Sequence, residues 1–457
     1  MIIKLLIGLI LPFLLGFTIL SWIDRNKELD LPEQTGLSFL LGISATTLLL
    51  FWAFLLPLSH RSFLVGTFIV VFSFLQLLLV DKGRRIRDFV KKCYTVKWPV
   101  GQKNIVVLLL LIGLLFKLSY VFVEAGSKPE YSWDASNFWT TSAKAFHYFD
   151  RDYPAQALQG VLNLKSHDDY PRQMALSQAW LYDYLGEAND QMGKLLFPVT
   201  LVAFLFFFYA QVKKERAGPI ALFFCYFLLS APLFVYLATV GYADFTIAVY
   251  FSVGILCFYR WIREKKLPYF WLFSIFIALT LWIKIEGKLW LLLGLILLIV
   301  YLYRDYGRSI KEAALKVGQY LSAYLIISFP WQIVIWAYRL EARGEFTSNL
   351  GHFSEMQSFI YNSLFVQGSW GLFWFAATAA LLVGWHKLIN RQNIYLLLTI
   401  IMFYGALLFI YLFTGDGWDS MVVSFNRVLL SLYPVMVFTL AVVLPDLNEL
   451  LWWRRKK

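Results

Sequence analysis

Long apolar runs separated by short polar connectors recur from one end of the chain to the other. They fall at about residues 1–23, 36–58, 62–80, 104–123, 191–211, 219–237, 245–261, 269–286, 288–303, 316–338, 370–386, 394–413 and 427–445. A helix needs about 20 apolar residues to cross a bilayer core, because every backbone polar group must be satisfied inside the segment. The pattern therefore predicts an all-α polytopic membrane protein with about 13 transmembrane helices. One polar interruption, residues 124–190, is far longer than the rest. Within it Ser136–Asp150 carries aromatics at 138, 139, 146, 148 and 149, a spacing that predicts an amphipathic helix in the headgroup layer.

Composition and charge sharpen this picture. The 457 residues are 60% hydrophobic and only 15% charged, which excludes an ordinary soluble protein. The formal charge of +12 is not a nucleic-acid footprint. Its basic residues sit in short connectors, at 81–92, 213–216, 260–266, 304–316, 386–392 and 452–457, which alternate with basic-poor turns. Cytoplasmic loops carry such clusters, so the charge reads as orientation. It predicts a plasma-membrane protein with a cytoplasmic C-terminus, and with the 124–190 loop, the Val240–Asp244 and Ile283–Lys288 turns and the 340–369 and 414–427 loops outside. The same count puts the N-terminus outside, although the 24–35 connector is net acidic. Cys93, Cys225 and Cys257 predict no disulfide. The first apolar run is too long for a signal peptide and lacks a small-residue cleavage site, so it reads as an uncleaved anchor. With no internal repeat or low-complexity linker, the chain divides only into a three-helix extension with its basic loop (1–103) and a membrane module (104–457).

Five polar constellations stand out. Trp133-Asp134, with Lys144 following, places a carboxylate at the membrane surface, where it can take a proton from a hydroxyl or bind a divalent ion. The bland alternative is a helix N-cap. Val240–Phe245, VGYADF, holds Asp244 where a helix starts, again a candidate cap. Trp282–Trp290, WIKIEGKLW, puts Lys284, Glu286 and Lys288 inside an otherwise apolar stretch, where ionisable groups are costly unless paired or lining a wet cavity. SFNRVLLSLYP brings Arg427, whose planar fork of donors matches phosphate, although a snorkelling arginine is a common occurrence. SHDDYPRQMALSQAW, around His167–Trp180, reads as a turn before Pro171 with Tyr170 beside it and Arg172 facing the cavity. Its His and two Asp in a row cannot all reach one metal. The short DRD at 150–152 is too unspecific to mark a metal site.

In their order these elements resemble the GT-C superfamily of integral-membrane glycosyltransferases, in particular bacterial members related to the protein O-mannosyltransferase and aminoarabinose transferase group. The resemblance spans about residues 104–445. WDASNFWTTSAK looks like the family's first-loop motif, HDDYP like HPDYP, GYAD like its GYAD turn, KIEG like KxEG, and SFNRVLLSLYP like the late S..R.LL.L.P helix. Asp168 stands where the family has proline, Phe245 and Thr246 where it has Leu-Pro, and Ile285 where it has Asn. The resemblance implies a GT-C-like fold and transfer of a sugar from a polyprenyl-phosphate or pyrophosphate donor to a glycan, lipid or protein acceptor on the outer face of a bacterial inner membrane. Asp134 then takes the place of the catalytic aspartate. Lys144, Arg172, Lys284 and Arg427 are the phosphate partners, and Trp133, Tyr170, Asp244 and Glu286 support them. The sequence establishes no cofactor and leaves a divalent cation open. If a divalent cation takes part, Asp134 and Asp244 are its ligands. Two other classes fit the composition: a transporter or flippase of lipid-linked sugars, and a polymerase or ligase of lipid-linked glycans.

Overall fold

The computed structural model describes residues 1–56, 58–95, 105–152, 170–306, 309–338, 340, 348–413 and 417–445. All regular structure among these is helical. Five helices precede the long loop: α1 (Ile2–Ile23), α2 (Leu31–Phe54), α3 (Arg61–Val80), the polar α4 (Arg84–Thr95) and α5 (Ile105–Ser127). The loop holds a single turn of π-helix (Ala135–Trp139) that runs straight into α6 (Thr140–Asp152), and then α7 (Gln173–Leu185). The rest comprises α8 (Asp190–Lys213), α9 (Gly218–Leu228), α10 (Pro232–Leu237), α11 (Ala243–Glu264), α12 (Leu267–Ile283), α13 (Gly287–Asp305), α14 (Ile310–Ile327) and α15 (Phe329–Tyr338). It closes with α16 (Leu350–Trp370), α17 (Phe373–Val383), α18 (Ile394–Phe413), α19 (Gly417–Leu429) and α20 (Tyr433–Val443).

Eight of the described helices are long and apolar enough to cross a membrane, or 11 spans if three bent pairs each count once. The pairs are α14 with α15 (48°), α16 with α17 (115°) and α19 with α20 (43°). Hydropathy counts more because it measures apolar length and is blind to breaks. Pro330 lacks the N–H that would continue α14 into α15. The stretch read as the 340–369 outer loop holds α16, and the apolar α9 and α12 have only 11 and 17 residues.

At the centre lies α11, whose most apolar 18-residue window is wholly buried against α8, α12, α13, α19 and α20. Outward, α3 and α5 expose Phe74, Leu79, Leu115 and Phe116, an apolar band of the kind a bilayer covers. The first two helices cross with their backbones touching. A Cβ on Gly42 would stand 1.7 Å from the Pro12 carbonyl oxygen, so only glycine fits.

Side-chain pairs define the two ends of the bundle. At one end Arg85 binds Asp24 at 2.8 Å, Lys214 binds Glu33 at 2.8 Å, Arg260 binds Glu215 at 2.6 Å and Arg391 binds Asp305 at 2.6 Å. The basic connectors thus gather there, and the acidic 24–35 connector joins them because its acids neutralise their charge. Arg216 donates to the Ala441 carbonyl at 2.6 Å, which brings the end of α20 to this side too; residues 446–457 lie outside the described residues. At the other end Lys4 donates to the Leu185 carbonyl at 3.2 Å, so the N-terminus shares a face with the long loop.

Candidate active site

Each candidate side chain owes its place to a local break in helical structure. Asp134 directly precedes the π turn with helical dihedrals (φ −63°, ψ −40°) and makes no side-chain cap bond. The capping reading therefore does not describe it, and its carboxylate is directed elsewhere. Tyr242, not Asp244, holds the N-cap position of α11 in extended conformation, and Asp244 lies in the first turn. Lys284 ends α12 in extended conformation, and Glu286 opens α13 without capping it. Arg427 sits in the last turn of α19.

These breaks meet on the long-loop face. Arg427 forms an ion pair with Asp134 and reaches Asp244 Oδ2 at 3.9 Å. Lys284 donates to Asp244 Oδ1 at 2.9 Å and pairs with Glu286 Oε1 at 2.9 Å. The Arg427 guanidinium lies 5.2 Å from the centre of the Tyr242 ring, and the Asp134 backbone N–H points at the Tyr242 hydroxyl at 3.5 Å. Burial is graded. The Lys284 and Asp244 side chains are 9% and 3% exposed, whereas Arg427 and Asp134 keep 18% and 20%, so the outer pair is open to a ligand and the inner pair is a foundation. Gly241 lets the loop approach, since a Cβ there would stand 2.9 Å from Glu130 Oε2 and 3.3 Å from the Ala135 Cβ.

Three acids and two bases leave this cluster one negative charge in excess. Lys284 is the shared partner of two acids, 2.9 Å from Asp244 and 2.9 Å from Glu286, which fixes its ammonium in place. Arg427 Nε and Glu286 Oε2 are buried without a hydrogen-bond partner in the protein. Buried polar atoms of this kind are normally satisfied, so the cluster has unused capacity for a polar ligand or water.

The other candidates are spread around this core. Tyr170 packs edge-on against Trp139 at 5.6 Å. Trp133 is 65% exposed, as a headgroup-layer residue would be. Lys144 pairs with Asp190 at 2.8 Å, and Arg172 is buried with its guanidinium 5.3 Å over the Trp331 ring. Neither is among the ion pairs of the cluster. His167, Asp168 and Asp169 lie outside the described residues, as do the side chains of Arg151 and Asp152. Among the described residues no group of three or more His, Cys, Asp or Glu is arranged to hold a metal ion, so Asp134 and Asp244 make at most two ligands. Sequence reasoning passed over Tyr242, although it stands inside the GYAD element, and Glu130, which accepts the Ser132 N–H at 3.2 Å. A cavity of about 530 Å³ lined by Trp22, Arg25, Leu267, Trp271 and others lies at the basic end, away from these charges.

Comparison of the chain with protein-family models, curated proteins and solved structures gave no match.

Proposed function

We propose that the chain is a GT-C-like membrane glycosyltransferase that moves a sugar from a polyprenyl-phosphate-linked donor to an acceptor hydroxyl at the outer surface of the bacterial inner membrane. One observation carries the reading. The elements on which the family resemblance rests, at 134, 244, 284–286 and 427, come from distant parts of the chain, yet their ionisable side chains lie within ion-pair distance of one another. In this reading α9 and α12 also cross the membrane, which restores about 13 spans, and the long-loop face is the outer one.

The chemistry follows from the pairing. With the cluster one negative charge in excess, an incoming phosphate, met first by the unbonded Arg427 Nε, binds best by displacing a carboxylate from a base. Arg427 is the base to yield, because its partner Asp134 is the more exposed one and its fork suits phosphate. Phosphate on Arg427 frees the Asp134 carboxylate. The acceptor oxygen attacks the anomeric carbon, the bond from that carbon to the phosphate oxygen breaks, the polyprenyl phosphate leaves with the electron pair, and Asp134 takes the acceptor proton. Arg427 and the fixed ammonium of Lys284 stabilise the charge that grows on the leaving phosphate. A lipid-linked donor also accounts for a site at the headgroup level.

Two measurements test this reading. Asn137 is exposed beside the site. In a Cys93→Ser background, Asn137→Cys is expected to react with an impermeant thiol reagent in intact cells, and labelling only after permeabilisation would put the site on the wrong side. Mass spectrometry of cell-envelope glycans with and without the gene is expected to show the loss of one sugar substituent, with its lipid-linked precursor accumulating.

A further inference from the structure

The first three helices lie outside the family resemblance, yet α2 packs beside the charged cluster and the α2–α3 corner packs against the far end of the helix that leads to it. On one edge, the Thr47 hydroxyl of α2 accepts from Trp282 Nε1 at 3.1 Å, two residues before Lys284. The Phe51 ring lies 5.2 Å from Trp282 and 6.0 Å from Trp331, the ring that carries Arg172. Farther out, the α2–α3 corner grips α6. Arg61, 1% exposed, donates its backbone N–H to Asp150 Oδ2 at 3.1 Å and pairs with the same carboxylate through its guanidinium. The rest of the guanidinium bonds back to the Ala53 and Leu56 carbonyls at 3.0 and 2.8 Å. Next to it, Ser62 donates to Asp183, whose other oxygen meets His147. His60 takes a left-handed conformation (φ 53°) at the head of α3, which turns the chain into this corner.

We infer that this corner is a positioning clamp for the candidate site, with Arg61 as its principal residue. Asp150 and His147 lie on α6, which joins the π turn after Asp134 with no intervening loop. Sixteen residues at 1.5 Å each give a lever of about 24 Å, so a tilt of about 2° to 3° at the clamped end moves Asp134 by about 1 Å. Displacements of that size cost about 100-fold at an oriented catalytic group. Burial of a fully paired Arg61–Asp150 contact confers little net stability. It does confer one fixed geometry, which is the property a positioning element needs. The catalytic consequence rests on the proposed transfer reaction, whereas the mechanical one does not.

The test uses the full chain in lipid nanodiscs, with hydrogen exchange read separately in residues 135–150 and in α11, alongside transfer kinetics. In Arg61→Met, which leaves the Asp150 carboxylate without its cation, exchange across 135–150 is expected to rise by about 10-fold or more relative to α11. The kcat is expected to fall by about 10-fold or more with donor KM little changed. Arg61→Lys, which keeps the charge but cannot serve all the acceptors at once, is expected to recover part of both. Asp150→Asn, a gentler change of the same shape, gives the same pattern at smaller amplitude if Arg61→Met is not recovered folded. Unchanged exchange in a folded Arg61→Met or Asp150→Asn overturns the clamp, and faster exchange with wild-type kcat overturns its catalytic role. If wild-type protein transfers no sugar at all, the transfer reading fails while the exchange arm still decides the clamp.

Discussion

Asp134→Asn is expected to lower sugar transfer by about 10²-fold to 10⁴-fold while leaving the protein folded. Asparagine has the shape of aspartate and still offers Arg427 an oxygen, but it carries no charge and cannot accept the acceptor's proton. Stability should change little, because asparagine still accepts from Arg427, Asp244 at 3.9 Å continues to face that guanidinium, and the cluster loses only its excess negative charge. Helix capping supplies no compensating loss, since the Asp134 side chain makes no cap bond. The signature is therefore a large loss of turnover beside a nearly unchanged melting temperature. Near-wild-type turnover would remove Asp134 from the chemistry.

Lys284→Met is expected to do the opposite. Lys284 and Asp244 are 9% and 3% exposed and 2.9 Å apart, and removing one partner of a buried pair costs about 3–5 kcal/mol because the other charge is left uncompensated. Thermal unfolding in nanodiscs should show a marked drop for Lys284→Met. The double variant Lys284→Met/Asp244→Asn should be more stable than Lys284→Met alone, because it removes the orphaned charge. Equal stability of Lys284→Met and wild type would mean that the inner pair is not the foundation of the site.

The contrast between these two variants shows how much of the site could be read along the chain. Lys284 and Glu286 drew notice because ionisable residues inside an apolar stretch are costly unless paired, Asp134 because it follows closely on an apolar run, and Arg427 because its planar fork of donors matches phosphate. Who pairs with whom is another matter. Arg427 and Asp134 are 293 residues apart, and no local pattern encodes that contact. Equally invisible was the pairing of Lys144 with Asp190, which gives a base near the motif a partner of its own. The fold followed the same division. Hydropathy locates the long helices α1, α2, α5, α11 and α18, since burial in lipid depends on local composition. It merges or miscounts the bent pairs, whose angles are set by packing and by Pro330. The acidic 24–35 connector weakened the sidedness argument only while its acids were counted alone; paired with Arg85 and Lys214, they belong at the basic end.

The central claim is that this cluster transfers a sugar from a polyprenyl-phosphate-linked donor. The most direct measurement reconstitutes the purified chain in sealed lipid vesicles with polyprenyl-phosphate- and pyrophosphate-linked sugars and an envelope extract as acceptor, then follows the sugar by mass spectrometry. The account predicts that label moves to an acceptor hydroxyl with release of free polyprenyl phosphate or pyrophosphate. Intact donor with every carrier tested, or donor carried across a vesicle membrane without cleavage of its sugar–phosphate bond, would contradict it.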